Sequence, residues 1–270
     1  GACTHPDLRG KGTMRELLRQ AFDQMFQNDI SFSTLIPAEP WLFNYYAQMG
    51  YAPVFQRSVE EIPLPSNIPS SEIKMDSISD YQEEVYQYLN KKLSERSCCI
   101  QHTSDDFRVI MADLGISKGI LVIARKENVI NGLAVAYNTK ESLIINELFA
   151  ETNEIENSQL YYLKQHSVCN QIIRLLPLNH EQPQQSFGMA RIINAKEILI
   201  LYATAFPKEE MQIELTDDQL SINNGYYRIH KGRCDYSCEP LSGISIQMNV
   251  SELTKQILQP LHPFMSLMLD

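Results

Sequence analysis

The N-terminal part of the chain has two helical stretches with a strand-like run between them. Apolar side chains recur every three or four positions from residue 14 to residue 26, the spacing of an amphipathic helix with one buried face. An apolar run at residues 30–36 predicts a strand, and a second helix is predicted after it, ending near Tyr46. The predicted order is strand end, glycine-containing turn, helix, strand and helix.

The central part combines three predicted helices with a set of strands. Ser79 with Gln82, and Thr103 with Asp106, have the spacing of capping boxes and predict the starts of two helices. A later helix is predicted around residues 158–168. The apolar runs that predict strands are 119–124, 129–137, 142–149 and 171–177. The first three predict an antiparallel meander, and the last ends like residues 34–37, so we predict a diverged internal repeat.

The C-terminal part predicts a further mixed unit. Asn194 with Glu197 is predicted to cap a helix, and a last helix is predicted to start at Ser251. Asp217-Asp218 and Asn224-Gly225 are hairpin signals. The run 187–193 opens this unit, and the strands predicted here are 211–215, 220–222, 226–230 and 244–248. The pattern of helices and strands along the whole chain therefore predicts the α/β (α+β) fold class.

Composition and charge narrow the function classes. The chain has 270 residues, enough for two or three domains. No stretch of about twenty apolar residues occurs, so a membrane-spanning class is excluded. The formal charge of −10 disfavours a nucleic-acid partner and suits a cationic substrate. Six scattered cysteines in a chain of this size predict a reducing cytoplasm rather than a disulfide framework.

A metal site is not predicted. His230, Cys234 and Cys238 lie four residues apart, but a strong zinc site needs four ligands at recognised spacings, and the fourth is missing.

The turn before the first helix is a candidate anion site. Gly10 and Gly12 allow a close approach of the backbone, and the N–H groups at a helix N-terminus point at whatever lies before it. Arg9 and Lys11 add positive charge. The alternative is that the glycines only tighten a turn between a strand and a helix.

Two motifs here resemble the GNAT class of N-acetyltransferases. Arg9-x-x-Gly12-x-Met14 looks like the coenzyme motif of that family, and the run 46–51 looks like the ending of its tyrosine helix. Met14 replaces a small residue, as in the similar branch of mycobacterial "enhanced intracellular survival" aminoglycoside acetyltransferases. The resemblance implies direct acetyl transfer from acetyl-CoA to a cationic amine such as an aminoglycoside or a basic peptide.

The same resemblance implies a role for each matching residue. Tyr46 would be the general acid, and the C-terminal carboxylate at Asp270 the base. Glu39 would border the coenzyme. The strand end of Ala2, Cys3 and Thr4 would pair with the pantetheine arm. Backbone amides would hold the pyrophosphate at Arg9, Gly10, Lys11, Gly12, Thr13 and Met14. The alternatives from the residues alone are that Tyr46 is aromatic core and that the apolar tail packs on its own domain.

The resemblance also implies a domain organisation. Residues 1–57 would be the C-terminal half of a catalytic GNAT domain whose first strands are missing, and 58–73 a linker. Residues 74–178 would be a degenerate GNAT-like domain, since its loop 151–156 has three carboxylates and no glycine. Residues 183–270 would form a sterol-carrier-like domain and tail. A homo-oligomer is expected, and an inactive fragment, a scaffold module and lipid binding by the last domain stay open.

Overall fold

The computed structural model describes residues 4–8, 10–63, 72–167, 169 and 171–268, without the side chain of Leu8. The chain forms two compact units. Unit 1 consists of Gly1–Phe55 and Ser186–His262, and unit 2 of Gln56–Gln185 and Pro263–Asp270. None of the helices in the described ranges is both long and apolar enough to cross a membrane.

The helices of the described residues are α1 (Thr13–Gln27), α2 (Pro40–Ala47), α3 (Glu83–Ser94), α4 (Ser104–Ser117), α5 (Asn153–Gln165), α6 (Ala195–Ala205) and α7 (Val250–Leu258). The strands are β1 (Phe32–Leu35), β2 (Ala52–Ile62), β3 (Lys74–Ser77), β4 (Ile120–Lys126), β5 (Val129–Asn138), β6 (Ser142–Ala150), β7 (Gln171–Pro177), β8 (Gln184–Ile192), β9 (Met211–Thr216), β10 (Gly225–His230), β11 (Arg233–Ser237) and β12 (Ile246–Asn249).

Unit 1 combines the N-terminal segment with residues 186–262. Strand β1 pairs antiparallel with β8, with Phe32 opposite Ile192. A four-stranded sheet has the order β11-β10-β9-β12, and its apolar face packs with side chains of α6 and α7. A second core contains residues from α1, from α2 and the turn after it, and from β8. The members that are almost fully buried are Phe22, Met49, Tyr51, Met189 and Ile193.

A buried ion pair links three segments of unit 1. Arg191 on β8 and Asp217 after β9 are both fully buried, with Nη2 donating to the two carboxylate oxygens at 2.8 and 2.7 Å. The guanidinium also donates from Nη1 to the carbonyl of Met49 at 2.9 Å and lies 4.4 Å from the ring centre of Phe22. The pair therefore holds the N-terminal and C-terminal segments together.

Unit 2 contains a sheet and the helices α3, α4 and α5. Strands β4, β5 and β6 form an antiparallel meander, as predicted, and β7 pairs parallel with β6 across the α5 connection. The next strand of the sheet after β7 is β2, whose residues 57–62 pair antiparallel with β7. Residues 58–62, which the sequence analysis assigned to a linker, therefore lie in a strand. The division into three domains stays a prediction.

Several local predictions were wrong. Helix α3 begins at Glu83 with Gln82 in extended conformation as its N-cap, so Ser79 lies four residues before the helix and forms no capping box. Helix α5 begins at Asn153 rather than at 158, capped by the Thr152 side chain. Residues 221–223 form a 3₁₀ helix rather than a strand, and β11 was not predicted.

Gln159 on α5 carries a buried amide. Neither its nitrogen nor its oxygen has a hydrogen-bond partner among the described residues, and the side chain is fully buried. A buried polar group without a partner costs about 1–3 kcal/mol. Gln159→Met keeps a long unbranched side chain, so we expect the free energy of unfolding of unit 2 to rise by about 1–3 kcal/mol.

Chemical denaturation followed by circular dichroism would measure this change. Gln165→Met is the matched control, because Gln165 lies on the same helix but is exposed. No gain for Gln159→Met would contradict the prediction and indicate that a buried water bonds the amide.

Candidate functional site

The turn before α1 has the backbone geometry that only glycine adopts easily. Gly10 has φ +74° and Gly12, the N-cap of α1, has φ +78°. A Cβ placed on either residue would meet no atom of the described residues within 4 Å, so among these residues the glycines serve the backbone angle and not packing.

The helix that follows makes this turn suitable for an anion. The carbonyl of Gly12 accepts the amide of Glu16 at 3.1 Å, which starts the helical bonding pattern, while the amides of the first turn have no partner within the helix. The helix dipole places partial positive charge at the same end. Lys11 and Thr13 are exposed and Met14 is half-buried. A phosphate could approach this turn without displacing atoms of the described residues.

For four of the residues that are predicted to contact the coenzyme, the structure gives no geometry that supports the contact. Ala2, Cys3 and Arg9 lie outside the described residues. Thr4 is half-buried and precedes a short 3₁₀ helix, Pro6–Leu8. Their contacts with the coenzyme stay predictions.

Glu39 lies at the start of α2. It is the N-cap residue, has extended backbone angles and is exposed, and Pro40 occupies the first helical position. Its side chain makes no capping hydrogen bond. The carboxylate is therefore not engaged in helix capping.

Tyr46 lies near the end of α2 beside two other aromatic rings. Its ring centre is 5.4 Å from that of Tyr45 and 5.8 Å from that of Tyr51, both in edge-on geometry. The ring packs against the core of unit 1, and its carbonyl accepts the amides of Met49 and Tyr51. The ring of Tyr46 is therefore part of the aromatic core, and the role of its phenol as general acid stays a prediction.

Burial keeps the two tyrosines of this cluster protonated. Partial burial, and next the neighbouring Tyr45, raise the pKa of Tyr46 above its ordinary value near 10. Burial also raises the pKa of Tyr51, whose hydroxyl lies 2.6 Å from the Ser33 hydroxyl. A phenol that stays protonated at neutral pH can donate a proton.

The sequence analysis did not find two of these interactions. The Ser33–Tyr51 hydrogen bond joins β1 to the residue just before β2, and no spacing in the sequence indicates it. Arg191 was noted only within the run 187–193, and Asp217 only as a hairpin signal, although the two form the buried ion pair of unit 1.

The C-terminal tail is an integral part of unit 2. Residues 263–267 are all buried. Phe264 bridges Cys99 in parallel: its carbonyl accepts the amide of Ile100 at 3.0 Å and its amide donates to the carbonyl of Cys98 at 3.1 Å. The tail is therefore held by backbone bonds to the central segment 98–100, rather than by the C-terminal domain 183–270 to which the alternative interpretation assigned it.

Charged side chains reinforce this anchoring. Glu147, 2% exposed, forms a bidentate ion pair with Arg96 at 2.6 and 2.7 Å, and also accepts the hydroxyl of Ser266. The His102 ring donates from Nε2 to the carbonyl of Ser266 at 3.1 Å. Asp270 lies outside the described residues, so its role as a base stays a prediction.

The described residues contain no cluster of three or more histidine, cysteine or carboxylate side chains placed to hold a metal ion. His230 Nδ1 lies 3.7 Å from Asp235 instead. Burial raises the pKa of Cys234 to about 11, so that the thiol stays protonated.

The N-terminal segment matches a known family. Residues 1–54 match the model of the acetyltransferase (GNAT) domain. This range contains both the glycine turn and Tyr46. Among curated proteins, none matches the chain.

Solved structures with a similar fold cover nearly the whole chain. A probable N-acyltransferase from Enterococcus faecalis is 18% identical with a TM-score of 0.71, over 94% of this chain and 69% of that chain. A GCN5-related N-acetyltransferase from Anabaena variabilis is 17% identical with a TM-score of 0.68, over 92% and 68%. Eis1 from Mycobacterium abscessus is 11% identical with a TM-score of 0.64, over 94% and 69%. At these identities the likeness shows a shared fold, and the predicted α/β fold class is confirmed.

Proposed function

We propose that this chain functions in the transfer of an acetyl group from acetyl-CoA to a cationic amine. The turn at Gly10 and Gly12, at the N-terminus of α1, carries the proposal. Backbone amides from Arg9 to Met14 would bind the pyrophosphate, because positive φ at both glycines and the helix dipole suit an anion. The match of residues 1–54 to the acetyltransferase domain supports this assignment.

Tyr46 would supply the proton for the leaving thiolate. The amine nitrogen attacks the acetyl carbonyl carbon, the carbon–sulfur bond breaks, and the thiolate takes a proton from the phenol. The raised pKa of Tyr46 supports this role, because the phenol stays protonated over the physiological range. Asp270 would accept the proton that the amine loses.

The acceptor would carry positive charge. The chain has 33 acidic and 23 basic residues, and a negative surface raises the local concentration of cations. An aminoglycoside or a basic peptide is therefore the proposed class of acceptor.

Two alternatives make different predictions. A non-catalytic scaffold would not bind acetyl-CoA at this turn. A lipid carrier built on the C-terminal segment, a proposed sterol-carrier-like domain, needs an enclosed apolar tunnel. The groove found there is open and includes Gln247, Glu252 and Lys255 in its lining, so it does not favour a lipid carrier.

Gly12→Asp should weaken acetyl-CoA binding at least about tenfold, because the new carboxylate repels the pyrophosphate at the helix N-terminus. Isothermal titration calorimetry would measure the dissociation constant. Gly232→Asp is the matched control: Gly232 also lies in unit 1 and has φ +74°, but it follows β10 in a turn without a predicted ligand. Wild-type chain that binds no acetyl-CoA would contradict the proposal and favour the scaffold.

A further inference from the structure

A polar cavity of about 280 Å³ lies in unit 1 and is lined in part by the buried ion pair of Arg191 and Asp217. This volume is slightly below the range of about 300–1,000 Å³ typical of drug-sized ligands, so the cavity suits a small polar molecule. The rest of its lining joins three segments that are far apart in the sequence. They are the end of α2 with the turn after it, residues 216–219 at the end of β9, and residues 249–252 at the start of α7.

Arg191 has an unused hydrogen-bond donor at this cavity. Its side chain is fully buried, and Nε has no hydrogen-bond partner among the described residues. The other two nitrogens are bonded, Nη1 to the Met49 carbonyl and Nη2 to the Asp217 carboxylate. A buried donor without an acceptor is unfavourable, so a ligand oxygen in the cavity would stabilise this arrangement.

The guanidinium is held in a fixed position by its neighbours. Both Nη atoms are bonded, and Cζ lies 4.4 Å from the ring centre of Phe22. Gly50, which also lines the cavity, borders the guanidinium closely. A Cβ at this position would lie 3.0 Å from Arg191 Cζ and 2.7 Å from Val250 Cγ1. The guanidinium and the first residue of α7 therefore lie close together in the cavity wall.

The start of α7 adds a second feature that suits a negative group. Its N-cap Asn249 and Glu252 satisfy one another, since the side chain of each accepts the backbone amide of the other. The amides of Val250 and Ser251 have no partner within the helix, and the helix dipole places partial positive charge at this end. Both residues line the cavity. A carboxylate placed here would accept from Arg191 Nε and from the helix start.

Two carboxylates give the same cavity a negative character. Asp218 and Glu252 are both exposed, and both line it. Asp217 adds no further net charge, because Arg191 neutralises it. A simple anion would be attracted by the helix start but repelled by these two carboxylates. A ligand that fits the whole lining therefore carries a negative group and positive groups in one small molecule.

We propose that the cavity binds a free basic α-amino acid, lysine or arginine. The ligand carboxylate would accept hydrogen bonds from Arg191 Nε and from the first amides of α7. The α-ammonium group and the side-chain cation would lie near Asp218 and Glu252. The net positive charge of the ligand is opposite to that of the lining. Binding of the amino acid does not depend on the proposed acetyl transfer.

Isothermal titration calorimetry of the whole chain, without acetyl-CoA, tests the proposal. We expect lysine to bind with a dissociation constant of about 1 mM or lower. Cadaverine, which is lysine without its carboxylate, should bind at least about tenfold more weakly, because it leaves Arg191 Nε without an acceptor. Nα-acetyl-lysine, which stands for the C-terminal lysine of a peptide, should also bind more weakly because it has lost the α-ammonium charge.

A variant tests the contact with the cationic groups. Asp218→Asn should raise the dissociation constant of lysine about tenfold, because it removes one of the two negative charges of the lining. Asp235→Asn is the matched control, since Asp235 is exposed and lies in unit 1 on β11, outside the lining. Circular dichroism melting should show that both variants fold like the wild type.

Three results would overturn the proposal and leave the proposed acetyl transfer untouched. The first is that neither lysine nor arginine binds at millimolar concentration. The second is that cadaverine or Nα-acetyl-lysine binds as tightly as lysine, which would mean that a buried water satisfies Arg191 Nε or that the α-ammonium group makes no contact. The third is that Asp218→Asn binds lysine as tightly as Asp235→Asn does.

Discussion

Asp217→Ala is expected to lower the free energy of unfolding of unit 1 by about 3–5 kcal/mol, because it leaves the buried guanidinium of Arg191 without a counter-charge. The Asp217 carboxylate also accepts the amides of Gln219 and Leu220 and the side chain of Asn223. These donors would lose their acceptor as well, which adds to the cost.

Urea denaturation followed by the fluorescence of Trp41 would measure this loss. Trp41 is the single tryptophan of the chain and lies on α2, so its signal reports on unit 1. Glu16→Gln is the control: it removes an exposed ion pair with Arg19 and should leave the unfolding midpoint unchanged.

A double variant separates the ion pair from general packing. Arg191→Met with Asp217→Leu removes both charges and should recover part of the stability that Asp217→Ala loses, because no uncompensated charge remains. Recovery should be partial, since the backbone amides that bond Asp217 still lack an acceptor. An unchanged midpoint for Asp217→Ala would show that the guanidinium reaches water or another acceptor.

Tyr46→Phe is expected to lower kcat about 10²- to 10⁴-fold if the phenol is the general acid. The ring contacts with Tyr45 and Tyr51 remain, so the fold and the affinity for acetyl-CoA should be retained. Steady-state kinetics with acetyl-CoA and a basic peptide or an aminoglycoside would measure kcat. Tyr45→Phe is the matched control on the same helix.

The pH dependence adds an independent readout. The pKa of Tyr46 is raised, so the loss of activity caused by its ionisation should have its midpoint above that of an ordinary tyrosine, which is about pH 10. Tyr46→Phe should remove this alkaline limb. If kcat of Tyr46→Phe equals that of the wild type, Tyr46 is aromatic core and the proposed acid is wrong.

Local sequence signals predicted elements well where one residue pair sets the geometry. The Thr103–Asp106 capping box is present in full, and Asn194 caps α6 through the amide of Glu197. Such caps use atoms only three residues apart, so no other part of the fold is needed. The Ser79–Gln82 prediction was wrong because the backbone at Gln82 is still extended and the helix begins only at Glu83, so Ser79 is too far from the first turn to cap it.

Predictions from periodicity alone were less accurate at the element ends. The first turn of α5 carries Glu154 and Glu156, which favour the helix through its dipole but add nothing to the apolar pattern, so the start was placed too late. Strand β11 has mostly polar and exposed residues, so its pairing with β10 had no apolar signal.

The sequence by itself determined the glycine turn, the amphipathic helix α1, Tyr46 on α2 and the order of strands in the meander. These depend on backbone angles and on apolar spacing over a few residues, which the chain encodes locally. Only the tertiary structure decided that Arg191 meets Asp217 and Met49, that residues 263–267 are buried in unit 2, and that the start of α7 lines the same cavity as Arg191. These contacts join residues far apart in the chain, and burial and hydrogen-bond geometry, rather than spacing, select them.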